Sequence, residues 1–203
     1  MSSLAPPHLY RFTVDEYHAI WETGILGHEK RVELIDGQII TMSPFKRPHL
    51  ASVNLLERAL ARRLYVSEPP LAQVSVQNPV RLDDGTEPEP DLALLRHDFA
   101  DRFPTAADVF LVIEVADTTE AFDRNVKLPR YAAAGVPEVW LVLVGDDHGP
   151  GRAEIHRLPG PTGYGTVEQH GPDGALTIAA FPDLAPIPVA DVLPPPAAEN
   201  QSG

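Results

Sequence analysis

At 203 residues and 43% hydrophobic content, the chain can bury a sizeable core and is expected to form one domain, or at most two. The lack of cysteine excludes disulfides, thiolate catalysis and cysteine zinc sites, and the lack of a signal sequence or of an apolar run of about 18–20 residues favours a cytoplasmic protein. The net charge of −13 disfavours nucleic-acid binding unless a carboxylate cluster holds divalent cations, because a bound cation reverses the local field.

The first third of the chain predicts a helix, a hairpin and a second helix. Thr13 and Glu16 have the spacing of a capping box, so a short helix is expected to start there. An Asp-Gly pair between two apolar runs predicts a β-hairpin over residues 31–42, because both turn positions favour positive φ. Leucine and valine recur every three or four residues from about 48 to 64, which predicts a long amphipathic helix.

The middle of the chain predicts strands. Apolar and polar side chains alternate with period two at Val74 and Val76 within residues 70–82, which indicates one or two strands with an exposed face. A turn-rich acidic loop over residues 83–90 precedes a short strand, which Asp91 opens. Residues 109–113 form an apolar and mostly β-branched run, which Val115 and Ala116 continue after Glu114, and the stretch 108–116 predicts a strand buried on both faces.

The second half of the chain predicts a crossover between parallel strands. A helical stretch over residues 123–134 is expected to become regular near Lys127, because Pro129 is tolerated only in a first turn. An apolar strand at residues 138–144 completes a strand–helix–strand unit, whose right-handed crossover implies parallel pairing. The segments "AEIHRL", "TVEQH" and "ALTI" predict a meander of edge strands. The whole pattern predicts a mixed sheet with helices, of the α/β or α+β class.

Two acids stand at strand ends, where they can share one edge of the sheet. Asp91 opens a strand, and Glu114 lies near the end of the buried run. Buried carboxylates need partners, and converging carboxylates repel each other unless a cation lies between them. Mg²⁺ suits two carboxylates and a backbone carbonyl such as that of Val115. The alternative is that Glu114 ends the strand and points into solvent, and the residues alone leave both interpretations open.

Other charged residues also have two interpretations. Lys127 either leans over the sheet edge to orient a nucleophilic water or forms a surface pair with Asp123, and the four-residue spacing by itself favours the surface pair. Glu87 and Glu89 are either further ligands or, as the turn-rich context favours, solvated loop residues. His49, at the start of the long helix, either lines a cleft or is structural or solvated.

Four segments in the same order carry a resemblance to a known family. They are "RVELIDGQIITMSP", "EPDLALL", "FLVIEVADTT" and "DRNVKLPRYAAAGVPEVWLV", with Tyr131, Gly135, Pro137 and Trp140 in place. Over residues 12–158, and more faintly through "FPDLAPIPVADVL", the chain resembles the Uma-type family of putative restriction endonucleases in the PD-(D/E)XK nuclease superfamily. The resemblance implies a restriction-endonuclease-like core, a four- or five-stranded mixed sheet flanked by helices. On this basis we expect a single domain over residues 1–193 and a disordered Pro/Ala-rich tail over residues 194–203.

The resemblance also implies a phosphodiesterase site that depends on Mg²⁺ or Mn²⁺. Asp91 matches the aspartate of the "PD" element, Glu114 matches the acid of the second element, and Glu33 matches an upstream acid of the family. The superfamily lysine would stand two residues after Glu114, where this chain has Ala116. The family supplies the lysine from the next helix instead, where Lys127 is the candidate.

Two functions remain in competition at this point. A metal-dependent endonuclease acting on DNA is favoured by the presence of three acids and a lysine at the matching positions. A catalytically inactive nuclease fold that serves as a binding or oligomerisation module is favoured by the displaced lysine and by the charge of −13. The resemblance also implies a homodimer. The nuclease requires Asp91, Glu114 and Lys127 near a common point, in a cleft lined by some of Arg47, Arg58, Arg62, Arg81, Arg124 and Arg130.

Overall fold

The first described element is the predicted capped helix. The computed structural model describes residues 8–27, 30–96, 99, 101–146 and 149–194, so nearly all of the predicted tail lies outside the described residues. Helix α1 (Val14–Glu22) begins at the capping box: Thr13 Oγ1 accepts a hydrogen bond from the Glu16 N–H at 3.2 Å. In return, the Glu16 carboxylate accepts one from the Thr13 N–H at 2.9 Å. The predicted helix start is therefore confirmed.

The predicted hairpin is formed by β1 (Val32–Ile35) and β2 (Gln38–Thr41). Asp36 and Gly37 join them with φ of 50° and 69°, the left-handed conformations that a tight hairpin turn requires. A Cβ at Gly37 would stand 2.7 Å from Arg11 Cβ, so the close approach of the preceding chain also requires glycine. Strand β1 is entirely buried while β2 is largely exposed, so β1 faces the body of the protein.

A six-stranded mixed sheet forms the centre of the fold, one or two strands wider than expected. Its strands, in the spatial order β3-β4-β5-β6-β7-β8, are β3 (Gln73–Val76), β4 (Leu92–Leu95), β5 (Val109–Ala116), β6 (Glu138–Asp146), β7 (Gly149–Gly160) and β8 (Gly163–His170). Neighbouring strands are antiparallel except for β5 and β6, which are parallel as the crossover predicts. The α/β class with a mixed sheet is confirmed.

Strand β5 is buried on both faces, and its alternation decides what each face contacts. Leu111, Ile113 and Val115 belong to the core that also contains the apolar face of helix α2 (Arg47–Leu64). Val112 and Ala116 belong to a second core with the crossover segment. Because side chains alternate along a strand, Glu114 lies on this second face.

The crossover is helical from Glu120 to Ala133 but not uniform. It consists of α3 (Glu120–Phe122), a π-helical turn (Asp123–Lys127) and α4 (Leu128–Ala133). The regular helix begins at Leu128, so Pro129 lies in its first turn, as predicted. The Leu128 N–H reaches back five residues to the Asp123 carbonyl, and such π-turns occur frequently at functional sites.

The last predicted strand leaves the sheet. Strand β9 (Ala175–Leu176) pairs with β10 (Ile187–Pro188) in a separate two-stranded sheet, so a three-stranded meander is wrong for this segment. Leu176 and Ile187 are buried in the core beneath α2, and this burial outweighs further pairing at the edge of the main sheet. Within the described parts of the chain, no helix is long and apolar enough to cross a membrane.

Candidate active site

A cleft with about 460 Å³ of open space lies where β5 ends, between the hairpin, the first turn of α2 and the crossover. It is lined by Arg31, Met42, Ser43, Pro44, Phe45, Lys46, His49, Glu89, Asp91, Glu114, Val115, Asp117, Thr118, Thr119, Asp123 and Lys127. Four of the five residues that the sequence proposes for catalysis or metal binding line this cleft; the fifth, Glu33, contacts Lys127 from behind it.

Asp91 is fixed to the end of β5 by a backbone contact. Strands β4 and β5 are neighbours, with Leu92 opposite Ile113, as a shared edge requires. Asp91 Oδ2 accepts a hydrogen bond from the Val115 N–H at 2.8 Å. His49 Nε2 lies 3.0 Å from Asp91 Oδ1, so His49 is a buried cleft residue and the solvated alternative is wrong.

Glu114 points inward, so the alternative of a solvated strand end is wrong. Its side chain is 3% exposed, and its Oε1 accepts a hydrogen bond from the Tyr131 hydroxyl at 2.6 Å. The Lys127 ammonium lies 3.2 Å from the same oxygen. Both partners come from the crossover, because alternation along β5 turns Glu114 toward that face.

Lys127 joins the hairpin to the central strand. Its side chain is 3% exposed, and its Nζ donates a hydrogen bond to Glu33 Oε1 at 3.0 Å as well as contacting Glu114. Asp123 is equally buried, so the surface pair that the spacing favours is wrong. The π-turn carries both charged residues into the protein, an effect that regular helical spacing does not predict.

The electrostatics of the site reflect charges held out of water. Burial by itself lowers the pKa of Lys127, but the attraction of four carboxylates outweighs burial and raises that pKa above its usual value. In order of effect they belong to Glu114, Glu33, Asp123 and Asp91. Burial raises the pKa of Glu114 well above its usual value, and the cation of Lys127 only partly opposes the shift. The site is therefore built around one ammonium that remains charged.

Asp123 lies at the start of the π-turn and accepts a hydrogen bond from the Thr119 hydroxyl at 2.6 Å. Burial raises the pKa of Asp123 to about 6, although Lys127 and Thr119 both act to lower it. The folded state therefore binds this proton more tightly than the unfolded chain, whose aspartates titrate near about 3.9. This contribution to stability is complete below about pH 4 and is lost as the pH rises through about 6.

Replacing Asp123 with asparagine is expected to remove this pH dependence. The wild type should lose stability between about pH 4 and pH 6, as Asp123 loses its proton, whereas Asp123→Asn has no charge to bury. The difference between their free energies of unfolding should therefore shift by roughly 2 kcal/mol in favour of the variant over this range. Denaturant unfolding in EDTA at several pH values measures this difference, with Asp183→Asn, at an exposed position, as the control. A constant difference across the pH range would contradict the prediction.

The acidic loop before Asp91 is more buried than expected. Glu87 is 2% exposed, and its Oε1 lies 2.6 Å from His18 Nε2; Glu89 is half-buried and lines the cleft. The preference for solvated loop residues is therefore wrong for Glu87. The physical reason is that the Glu87 N–H donates to the Leu34 carbonyl at 2.7 Å, which ties the loop to β1.

The expected arginines do not line the cleft within the described part of the chain; Arg31 and Lys46 do. Three of the six are paired elsewhere: Arg81 with Asp15, Arg124 with Glu154 and Arg130 with Asp36. Sequence reasoning also missed the contact of Tyr131. Its position four residues after Lys127 was the available signal, because residues at that spacing share a helix face.

The donor set matches a hard divalent cation in its chemistry. Carboxylate oxygens of Asp91 and Glu114 and the carbonyl of Val115 are the oxygen ligands that Mg²⁺ takes together with waters. Among described residues, no hydrogen bond reaches Glu114 Oε2, and Glu33 Oε2 is buried without a partner. The described residues contain no group of three or more His, Asp or Glu side chains placed to hold a metal, so the fit rests on two carboxylates and backbone.

Comparisons with known proteins identify a family through one match and support the fold through another. The model of the Uma2 family, described as "Putative restriction endonuclease", matches residues 14–190. A crystal structure of a putative nuclease belonging to DUF820 from Anabaena variabilis superposes with a TM-score of 0.68 at 16% sequence identity. The superposition covers 89% of this chain and 97% of the other. No curated protein matches the chain.

Proposed function

Because the chain belongs to the Uma2 family of putative restriction endonucleases, we propose that it is a metal-dependent endonuclease that hydrolyses phosphodiester bonds of DNA. The observation that carries this proposal is the convergence of Asp91, Glu114 and Lys127 on one cleft. An inactive binding module has no physical need for two buried acids and a buried ammonium at the end of the central strand, because burying charges is costly.

Asp91 and Glu114, with the carbonyl of Val115, would hold the metal ion, Mg²⁺ or Mn²⁺. When bound, a divalent cation in such a site supplies activation of water and neutralisation of phosphate charge. Strand β5 gives the ligands a rigid base, because its apolar side chains are packed on both faces. His49 and the Val115 N–H orient the two oxygens of Asp91, and Tyr131 orients Glu114.

Lys127 would take the role of the superfamily lysine, whose usual position is occupied by Ala116 in this chain. It reaches the site from the crossover, with its Nζ 3.2 Å from Glu114 Oε1. Glu33 would act as a positioning residue, because its carboxylate holds the ammonium from the side of β1 at 3.0 Å. In this arrangement Lys127 would donate hydrogen bonds that orient the attacking water or neutralise the phosphate oxygens.

A cleavage assay with the wild-type protein tests the proposal. We expect nicking of supercoiled plasmid or cleavage of single-stranded DNA with Mg²⁺ or Mn²⁺, and none in EDTA, with activity restored by excess metal. The activity should elute with the protein as one peak in size-exclusion chromatography, which separates it from a contaminating nuclease. The same column reports whether the protein is the homodimer that the resemblance implies.

The absence of cleavage on both substrates, together with the absence of Mn²⁺ binding in calorimetry, would contradict the proposal. It would favour the inactive nuclease-fold module instead. Cleavage that persists in EDTA would contradict the role of the metal and leave the assignment of Asp91 and Glu114 without support.

A further inference from the structure

Arg31 lines the cleft, and its guanidinium attracts the half-buried carboxylate of Glu89 without forming an ion pair with it. Its Cζ lies 3.5 Å from the centroid of the Phe45 ring, and its Nη1 makes a long contact of 3.4 Å with the Ser43 carbonyl. Within the described residues, no carboxylate lies at ion-pair distance from this guanidinium. Stacking on an aromatic ring orients a guanidinium while its N–H groups stay available for an anion.

Lys46 supplies a second cation at the mouth of the same cleft. Its side chain is 58% exposed, and its Nζ lies 3.5 Å from Asp117 Oδ2. The contact is long for an ion pair and the Lys46 ammonium is reached by solvent, so an anion can compete with Asp117 for it. Lys46 is also the N-cap of α2 and lines the cleft, so the positive end of this 18-residue helix lies beside it.

The position of these cations matters because the protein is acidic. With a net charge of −13 and the carboxylates of Asp91 and Glu114 in the cleft, a polyanion is repelled unless local cations oppose that field. Phe45 stacks on His49 with ring centroids 4.4 Å apart, and His49 contacts Asp91. The Arg31 guanidinium is therefore connected by direct contacts to the carboxylate that we assign to the metal.

We propose that Arg31 and Lys46 form a subsite that binds the backbone phosphates of a nucleic acid beside the reacting bond, with Asp117 as the counter-ion of Lys46 in the free protein. This inference rests on the proposed nuclease function and names how the substrate is held. Contacts of this kind position a strand without reading its sequence. The subsite therefore predicts binding that depends little on base composition.

Two phosphate contacts imply a shallow dependence on salt. The slope of log Kobs against log salt concentration should be about −1.8 on duplex DNA and about −1.4 on a single strand. A protein that instead uses a broad basic surface would show a much steeper slope. The number of contacts is thus measurable independently of any cleavage.

The experiment measures fluorescence anisotropy of a fluorescein-labelled oligonucleotide, single-stranded and as a duplex, over a range of salt concentrations with Ca²⁺ present. Arg31→Gln and Lys46→Gln should each weaken binding about tenfold and make the slope shallower by about one unit. Arg58→Gln removes the same charge from an exposed position outside the cleft and should bind as the wild type does. Asp117→Asn should bind more tightly, a gain that misfolding cannot produce.

The subsite would be overturned if Arg58→Gln weakened binding as much as Arg31→Gln and Lys46→Gln do. Weaker binding by Asp117→Asn than by the wild type would also overturn it. Wild-type affinity in both Arg31→Gln and Lys46→Gln would overturn it as well, and metal-dependent cleavage in those variants would show that the nuclease assignment survives. Absence of binding by the wild type would overturn the subsite, and absence of cleavage in the same preparation would overturn the proposed function with it.

Discussion

A Glu114→Gln variant is expected to keep the fold and to lose metal-dependent nicking by at least about 10³-fold. The fold should tolerate the change because glutamine keeps the shape of the side chain and removes the cost of burying its charge, while Lys127 keeps Glu33 as a partner. The Tyr131 hydroxyl can still donate to the amide oxygen at this position. The loss of activity should arise because an amide is a poorer ligand for a hard cation than a carboxylate.

The matched control for this variant is Glu57→Gln, which makes the same chemical change on the exposed face of α2. Glu114→Gln should nick supercoiled plasmid more slowly than Glu57→Gln. It should also bind Mn²⁺ more weakly in titration calorimetry. Circular dichroism and thermal melting should show that both are folded. Nicking by Glu114→Gln at the wild-type rate would assign the activity to another site or to a contaminant.

Replacing Lys127 with methionine is expected to lower the free energy of unfolding by about 3–5 kcal/mol near neutral pH. Methionine fills a similar volume but leaves the carboxylates of Glu33 and Glu114 buried without their shared cation. Removing one partner of a buried ion pair is far more destabilising than removing a surface charge, because the remaining charge cannot regain its hydration.

The loss should depend on pH. Without the cation, the pKa of Glu114 rises further, and a carboxyl with a raised pKa in the folded state favours folding at low pH. The destabilisation is therefore expected to be larger near about pH 8 than near about pH 5. The double variant Lys127→Met with Glu33→Gln should recover part of the stability, because it removes one of the unpaired charges.

Denaturant unfolding in EDTA, with Lys46→Met as the control, measures this effect. Lys46 is exposed and only loosely paired, so its replacement should change the free energy of unfolding by no more than about 0.5 kcal/mol. Similar small losses in the two lysine variants would mean that Lys127 is not the structural cation that the geometry indicates.

The sequence by itself determined the elements whose signals are local. The capping box at Thr13 and Glu16 fixes a helix start because its partners lie three residues apart. The hairpin turn at Asp36 and Gly37 is determined in the same way by the backbone conformations those residues tolerate. The apolar residues before and after Glu114 in β5 required a strand covered on both faces, and the crossover after it required parallel pairing.

The convergence of Asp91 and Glu114 was suggested by their places at strand ends, whereas the inclusion of Lys127 and Glu33 was suggested by resemblance to a family. Spacing alone favoured a surface pair for Lys127, because the π-turn that carries it inward has no strong local signal. The choice between a solvated and a buried Glu114 could not be made until β5 was placed between its two layers, since alternation sets only relative orientation.

Only the tertiary structure decided which charges face the cleft. Six arginines were candidates by position in the sequence, yet the described residues that line the cleft include Arg31 and Lys46 instead. Partners distant in sequence made the difference, as for Arg124 in the crossover and Glu154 in β7, which are thirty residues apart. An ion pair between distant residues depends on how the layers pack, and no local pattern encodes that packing.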